Sequence, residues 1–233
     1  MLKKSEQQSN TQVRLFSFAR FRVLLPIILL IYTPVVILFV ILKLQNKVPV
    51  EYLTRDPLAV AKAPFYWGAI SNFGILIWCG AVVISLFSFK ILQNVKICSE
   101  FSHFFLFSGV ITSILLLDDL FLLHEEVFPY YLNISEKLVF LGYGILISFY
   151  LVRFRKTILK TEFIFLVLAF GFFGLSVFLD LLPVTDWLGN ENEYLLEDGA
   201  KLLGMISWLA YFGRTCAEQI QRVLLLENSR LNK

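Results

Sequence analysis

The chain has 233 residues, 58% of them hydrophobic and only 17% charged, with a mean hydropathy of +0.72. Soluble domains are about 45–50% apolar and about 25% charged, so an ordinary soluble domain is excluded and membrane spans are expected. A formal charge of +3 does not suggest a nucleic-acid partner, and three scattered cysteines without a CxxC pair, Cys79, Cys98 and Cys216, argue against a disulfide framework or a thiolate metal site.

Met1 to Arg22 is polar and basic, with Lys3, Lys4, Arg14, Arg20 and Arg22. The apolar run that follows, Val23–Leu42, is longer than the about 7–15 residues of a signal-peptide core, and no small-residue cleavage site follows closely. An uncleaved first span is therefore expected. Five further apolar segments follow: Tyr66–Phe89, Phe101–Leu123, Leu138–Val152, Phe163–Leu182 and Leu195–Phe212. Crossing a bilayer takes about 20 residues, so the fourth must recruit its flanks. The expected fold is an all-α membrane protein with six transmembrane helices in a bundle. A basic segment (1–22) would precede a six-span domain (23–212). In the final segment (213–233), Ile220, Val223, Leu224 and Leu231 stand at near-helical spacing and predict an amphipathic continuation of the last helix.

On this layout fifteen of the 21 Lys and Arg residues fall on the side that holds both termini. Cytoplasmic loops carry the basic excess, so both termini are expected in the cytoplasm and the location is the plasma or inner cell membrane. Thirteen of the 18 acids fall on the other side. There, 46–65 contains Pro49, Pro57 and Pro64 and reads as an irregular loop. Pro183–Tyr194, "PVTDWLGNENEY", is broken by Pro and Gly and anchored by Trp187.

The third span ends "LLLDDLFLLHEE". With the span running to Leu123, Asp118 lies five residues, roughly 7–8 Å, inside its end. An ionisable group at that depth costs several kcal/mol unless it faces protein, water or a partner. On a continuous helix Asp118 and Glu125 lie within about 20° of each other, Asp119 and Glu126 form a parallel stripe, and His124 points elsewhere. No acid–His pair there has the i, i+3 or i, i+4 spacing that lets one helix turn hold a metal, so other helices must complete a site. Asp180 ends the fifth span, Glu197 and Asp198 open the sixth, and Ser71 and Asn72 begin the second from the same side. Lys201, one turn after Glu197, is a candidate counter-ion. Gly171 and Gly174, and Ala200, Gly204 and Ser207, predict close helix packing. The candidate site is Asp118, Asp119, His124, Glu125, Asp180, Glu197 and Asp198. Such a cluster is tolerable with some acids protonated or with a bound divalent metal ion: Mg²⁺, Ca²⁺ or Mn²⁺ on oxygens, Zn²⁺ or Fe with His124 added. The plain alternative is that the acids cap and wet the helix ends.

Other chemistries are excluded by their residues. His103 and His124 stand 21 residues, about 31 Å, apart along a helix, which rules out a histidine-box or three-histidine site. Ser176 has no histidine in place for a serine-protease arrangement, and no phosphate-cradling GxxxxGK[ST] loop occurs. Asn133–Ser135, "NIS", fits a glycosylation sequon only in a eukaryotic secretory route.

"LDDLFLLHEE" together with "EYLLEDGAKLLG" resembles the acidic-plus-HE and acidic-plus-glycine motifs of uncharacterised bacterial multi-pass membrane proteins. The matching positions are Asp118, Asp119, His124 and Glu125, then Glu197, Asp198, Gly199 and Gly204. The resemblance implies a membrane fold and no particular activity. The leading expectation is an outward-facing carboxylate site that binds or conducts a cation or protons, with His124 as ligand or relay. The alternatives are a metal-dependent membrane hydrolase and an accessory or assembly subunit. Expected partners are the lipid bilayer and either another membrane protein or a second copy of the chain.

Overall fold

A computed structural model describes residues 2–93, 99–181 and 190–231. Every regular element among them is helical. The chain forms two compact units, Met1–Trp67 and Gly68–Lys233.

The first unit is α1 (Leu2–Leu44), α2 (Val50–Thr54) and α3 (Pro57–Ala61). α1 begins well before the expected span, and its apolar part, Leu24–Leu44, contains no buried residue. That exposure suits contact with lipid. The expected irregular loop over 46–65 contains two short helices instead. Asp56 caps α3 by accepting from the Ala59 amide at 3.1 Å, and Pro57 takes the first helical position, where its missing N–H is harmless.

The second unit contains α4 (Ala69–Leu92), α5 (Ser99–Phe121), a π-helix (Leu123–Tyr131), α6 (Glu136–Ile158), α7 (Ile164–Leu181) and α8 (Asn190–Leu231). α8 packs against α4 and α7, α4 also against α5, and α6 against α5 and the π-helix. The fourth segment recruits its flanks as expected, lengthening to 23 residues. Five helical segments among the described residues are long and apolar enough to cross a membrane: Leu24–Leu44, Ala69–Leu92, Glu100–Phe121, Glu136–Ile158 and Ile164–Leu181. The sixth expected segment lies inside α8 and carries Glu197, Asp198 and Lys201 near its start. α8 also runs through the tail to Leu231. Of Pro183–Tyr194, residues up to 189 lie outside the described residues, and so does Cys98.

Aromatic rings fill the centre of this unit. Phe104, Phe105, Trp208, Tyr211 and Phe212 are fully buried, with Trp208 and Phe212 at 5.2 Å between ring centres and Phe104 and Tyr150 at 5.8 Å. Large apolar side chains such as Leu76, Phe87, Ile145 and Val152 stay exposed. In lipid that exposure carries no penalty, and helices associate through packing and polar contacts. Polar ties between helices run through the core. Thr112 accepts from Trp208 Nε1 at 3.0 Å, Ser108 pairs with the Tyr150 hydroxyl at 2.7 Å, and Thr161 with the Tyr211 hydroxyl at 2.9 Å.

The small-residue expectation holds at one of the glycine positions it named. A Cβ on Gly204 would meet the Phe173 ring at 2.6 Å, whereas Gly171 and Gly174 face open space. Phe173 in turn stacks on Trp78 at 5.6 Å. Gly204→Ala is therefore expected to destabilise the bundle by about 1–3 kcal/mol through overpacking. Thermal unfolding in detergent, with tryptophan fluorescence reporting the displaced Trp78, measures both effects.

Candidate functional site

Asp118 and Asp119 lie in the last turn of α5, and that helix does not continue as a straight rod. It ends at Phe121, and Leu122 takes the left-handed conformation (φ 51°, ψ 45°). A non-glycine residue in that region costs roughly 1–3 kcal/mol. Wider i to i+5 pairing begins there, with the Leu122 carbonyl accepting from Val127 N at 3.2 Å as well as from Glu126 N at 2.8 Å.

The reversal folds His124 back onto Asp118. The His124 backbone N–H donates to Asp118 Oδ1 at 3.0 Å, and its ring Nδ1 lies 2.6 Å from Oδ2. The Tyr143 hydroxyl of α6 donates to Oδ1 at 2.8 Å. Phe140, one turn before Tyr143, packs on the imidazole at 5.2 Å between ring centres. Asp118 is 4% exposed and His124 6%, so this is a buried, hydrogen-bonded pair. A carboxylate with three donors has most of its accepting capacity used. On its other edge, His124 Nε2 lies 3.4 Å from Glu125 Oε1, whose side chain is half exposed. The imidazole thus sits between two carboxylates. Burial alone would lower its pKa, but the hydrogen bond and charge of Asp118 override this and leave it above the ordinary 6.5.

Asp119 turns the other way, into the bundle. Its Oδ1 pairs with Lys201 Nζ of α8 at 2.9 Å, and its Oδ2 accepts from Trp78 Nε1 of α4 at 2.7 Å. This one side chain joins three helices. Beside it is a cavity of about 30 Å³ lined by Ser71, Gly74, Asp119, Asp198, Lys201 and Met205, large enough for a water molecule.

The remaining expected acids gather around these two pairs. Glu197 is within interaction range of Asp180, Asp198, Lys201 and Glu125, and Glu136 of Asp180, His124 and Glu125. Glu197 is partly buried, while Asp180 and Asp198 are exposed.

Three expectations change. Asp118 and Glu125 do not share a helical stripe, because the helix stops at Phe121. An acid–histidine pair does form within one segment, at i, i+6, a spacing that only a chain reversal brings together. Lys201 pairs with Asp119 rather than Glu197. Two side chains of the network, Trp78 and Tyr143, carry no mark in the sequence, since each is one aromatic among many in an apolar span.

No curated protein and no solved structure matches the chain. The model of a family described as a domain of unknown function, DUF8692, matches residues 27–215. This span takes in both acid pairs, and the chain belongs to that family.

Proposed function

We propose that the protein is a six-span integral membrane protein of the cell membrane, with both termini in the cytoplasm and an outward-facing site that binds and exchanges protons. The observation that carries this reading is the His124 imidazole held between Asp118 at 2.6 Å and Glu125 at 3.4 Å. Histidine is the side chain whose charge changes nearest neutral pH. One of its nitrogens is buried against Asp118, while the other meets a half-exposed carboxylate that can pass a proton to or from water. Asp119 and Lys201 form a fixed charge pair beside it and hold α4, α5 and α8 together.

The proton is the cation this geometry favours. Asp118 and Asp119 have turned their oxygens to protein donors, and among the described residues no three His, Cys, Asp or Glu side chains gather in a group able to hold a metal ion. The sixth span takes support from α8, whose Lys201 is paired with Asp119 of α5. The orientation takes support from the distribution of Lys and Arg.

His124→Gln tests the site. A pKa raised in the folded state gives stability that is complete below the unfolded value near 6.5 and is lost as pH rises through the folded value. The native Tm in detergent is expected to fall over that window, and the Gln variant to give a flatter profile. In proteoliposomes with an internal pH dye, the variant should slow proton movement by about a hundredfold or more, the scale of a lost general acid–base group. An unaltered Tm profile together with unaltered proton movement would overturn the reading.

A further inference from the structure

Buried polar groups also gather at the opposite end of the second unit. The Ser88 hydroxyl of α4 lies 2.6 Å from the Ile84 carbonyl and 2.8 Å from Cys216 Sγ of α8. That contact sets the Ser85–Ser88 turn against the Thr215–Gln219 turn. Residues three and four apart share a helix face, so Ser85 lies with Ser88, and Gln219 with Thr215. Ser85 is 0% exposed, Thr215 2% and Gln219 1%.

Among the described residues, Ser85 Oγ and both amide atoms of Gln219 have no hydrogen-bond partner in the protein. The Tyr211 hydroxyl, engaged with Thr161, is the polar group that reaches toward Thr215. An amide brings two donors and a carbonyl acceptor. Buried groups of this kind are, with few exceptions, partnered by protein or by ordered water. In lipid the demand is stricter, because the surroundings offer no substitute.

We infer that α4 and α8 enclose a hydrated polar pocket in which a chain of ordered waters links Ser85, Thr215 and Gln219. Ser85 lies seven residues, about 10 Å, along α4 from Trp78, and Gln219 eleven residues, about 16 Å, along α8 from Trp208. The pocket and the Asp119 network therefore lie on opposite sides of the Trp78, Trp208 and Phe212 rings. Resting on the proton reading above, the pocket is the inner half of a water-assisted route, and the ring layer is the dry barrier within it.

Thiol labelling tests the pocket. In a background with Cys79, Cys98 and Cys216 replaced by Ser, Ser85→Cys and Ala81→Cys place thiols one turn apart at equally buried positions of α4. The probe is methanethiosulfonate ethylammonium, applied to membrane vesicles and read by mass. Only a hydrated thiol ionises readily, so Ser85→Cys should label about tenfold faster or more. Equal rates at the two positions would overturn the pocket. Should the Ser85→Cys protein fail to fold, Gln219→Leu decides by its Tm. A hydrated pocket loses its bridging water and the Tm falls, whereas a dry site loses a stranded amide and the Tm rises. Labelling does not depend on His124. Rapid labelling of Ser85→Cys combined with unaltered proton movement in His124→Gln would remove the route while leaving the pocket.

Discussion

Asp118→Asn is expected to destabilise the second unit by about 2–3 kcal/mol, the scale of lost charge-assisted hydrogen bonds. The shape is kept, and an amide oxygen can still accept from the His124 amide and the Tyr143 hydroxyl. The amide nitrogen then faces His124 Nδ1, which in the native protein lies 2.6 Å from a carboxylate. Two donors cannot bond each other, so the imidazole must carry its proton on Nε2, facing Glu125. The raised affinity for a second proton disappears with the Asp118 charge. Thermal unfolding between pH 5 and pH 9 measures both parts, a Tm lowered by roughly 5–10 °C near neutral pH and a weaker dependence on pH. Asp118→Asn matching the native protein in Tm and pH profile would mean that Asp118 only wets a helix end.

Lys201→Met should be comparably damaging on the other side of the network. It leaves the Asp119 carboxylate with Trp78 Nε1 as its one remaining partner of the pair described, in a side chain only 10% exposed. Breaking a fully buried pair costs about 3–5 kcal/mol. The Lys201 side chain keeps 31% exposure, and solvent screening brings the expected loss down to about 2–3 kcal/mol. Adding Asp119→Asn should recover much of that loss, because no charge is then stranded. A double-mutant cycle on Tm in detergent gives the coupling. Additive losses would show that the two side chains do not stabilise each other.

Much of the architecture is legible from apolar run length. The boundaries of the expected second and fifth spans differ from the helices by at most three residues, and the fourth extends six residues further at its end, as its short core requires. The segment holding Glu197, Asp198 and Lys201 is less legible, since its hydropathy is diluted by charges, of which Lys201 finds its partner, Asp119, only in the folded unit. The convergence of Asp180, Glu197 and Asp198 near Glu125 and Asp119 follows from acids standing at the same end of successive spans. Partner assignment is not legible, because the spacing of 118–126 is that of one continuous helix until the break at Leu122 is known. No glycine or proline stands at Leu122 to signal a reversal, and Pro129 comes seven residues later. Trp78 and Tyr143 were hidden for a different reason. A chain with 24 Phe, nine Tyr and four Trp residues does not advertise which ring also donates a hydrogen bond.

The left-handed residue at Leu122 ties backbone opening to proton occupancy. The Asp118 oxygen that receives Tyr143 also receives the His124 main-chain N–H, so loss of the imidazolium loosens a peptide group together with a ring. The segment from Leu122 to Asn133 begins and ends on residues with positive φ. Amide hydrogen exchange of His124 is thus a local clock for the site. Its opening free energy belongs to this short segment and can change with pH while the helices around it stay closed.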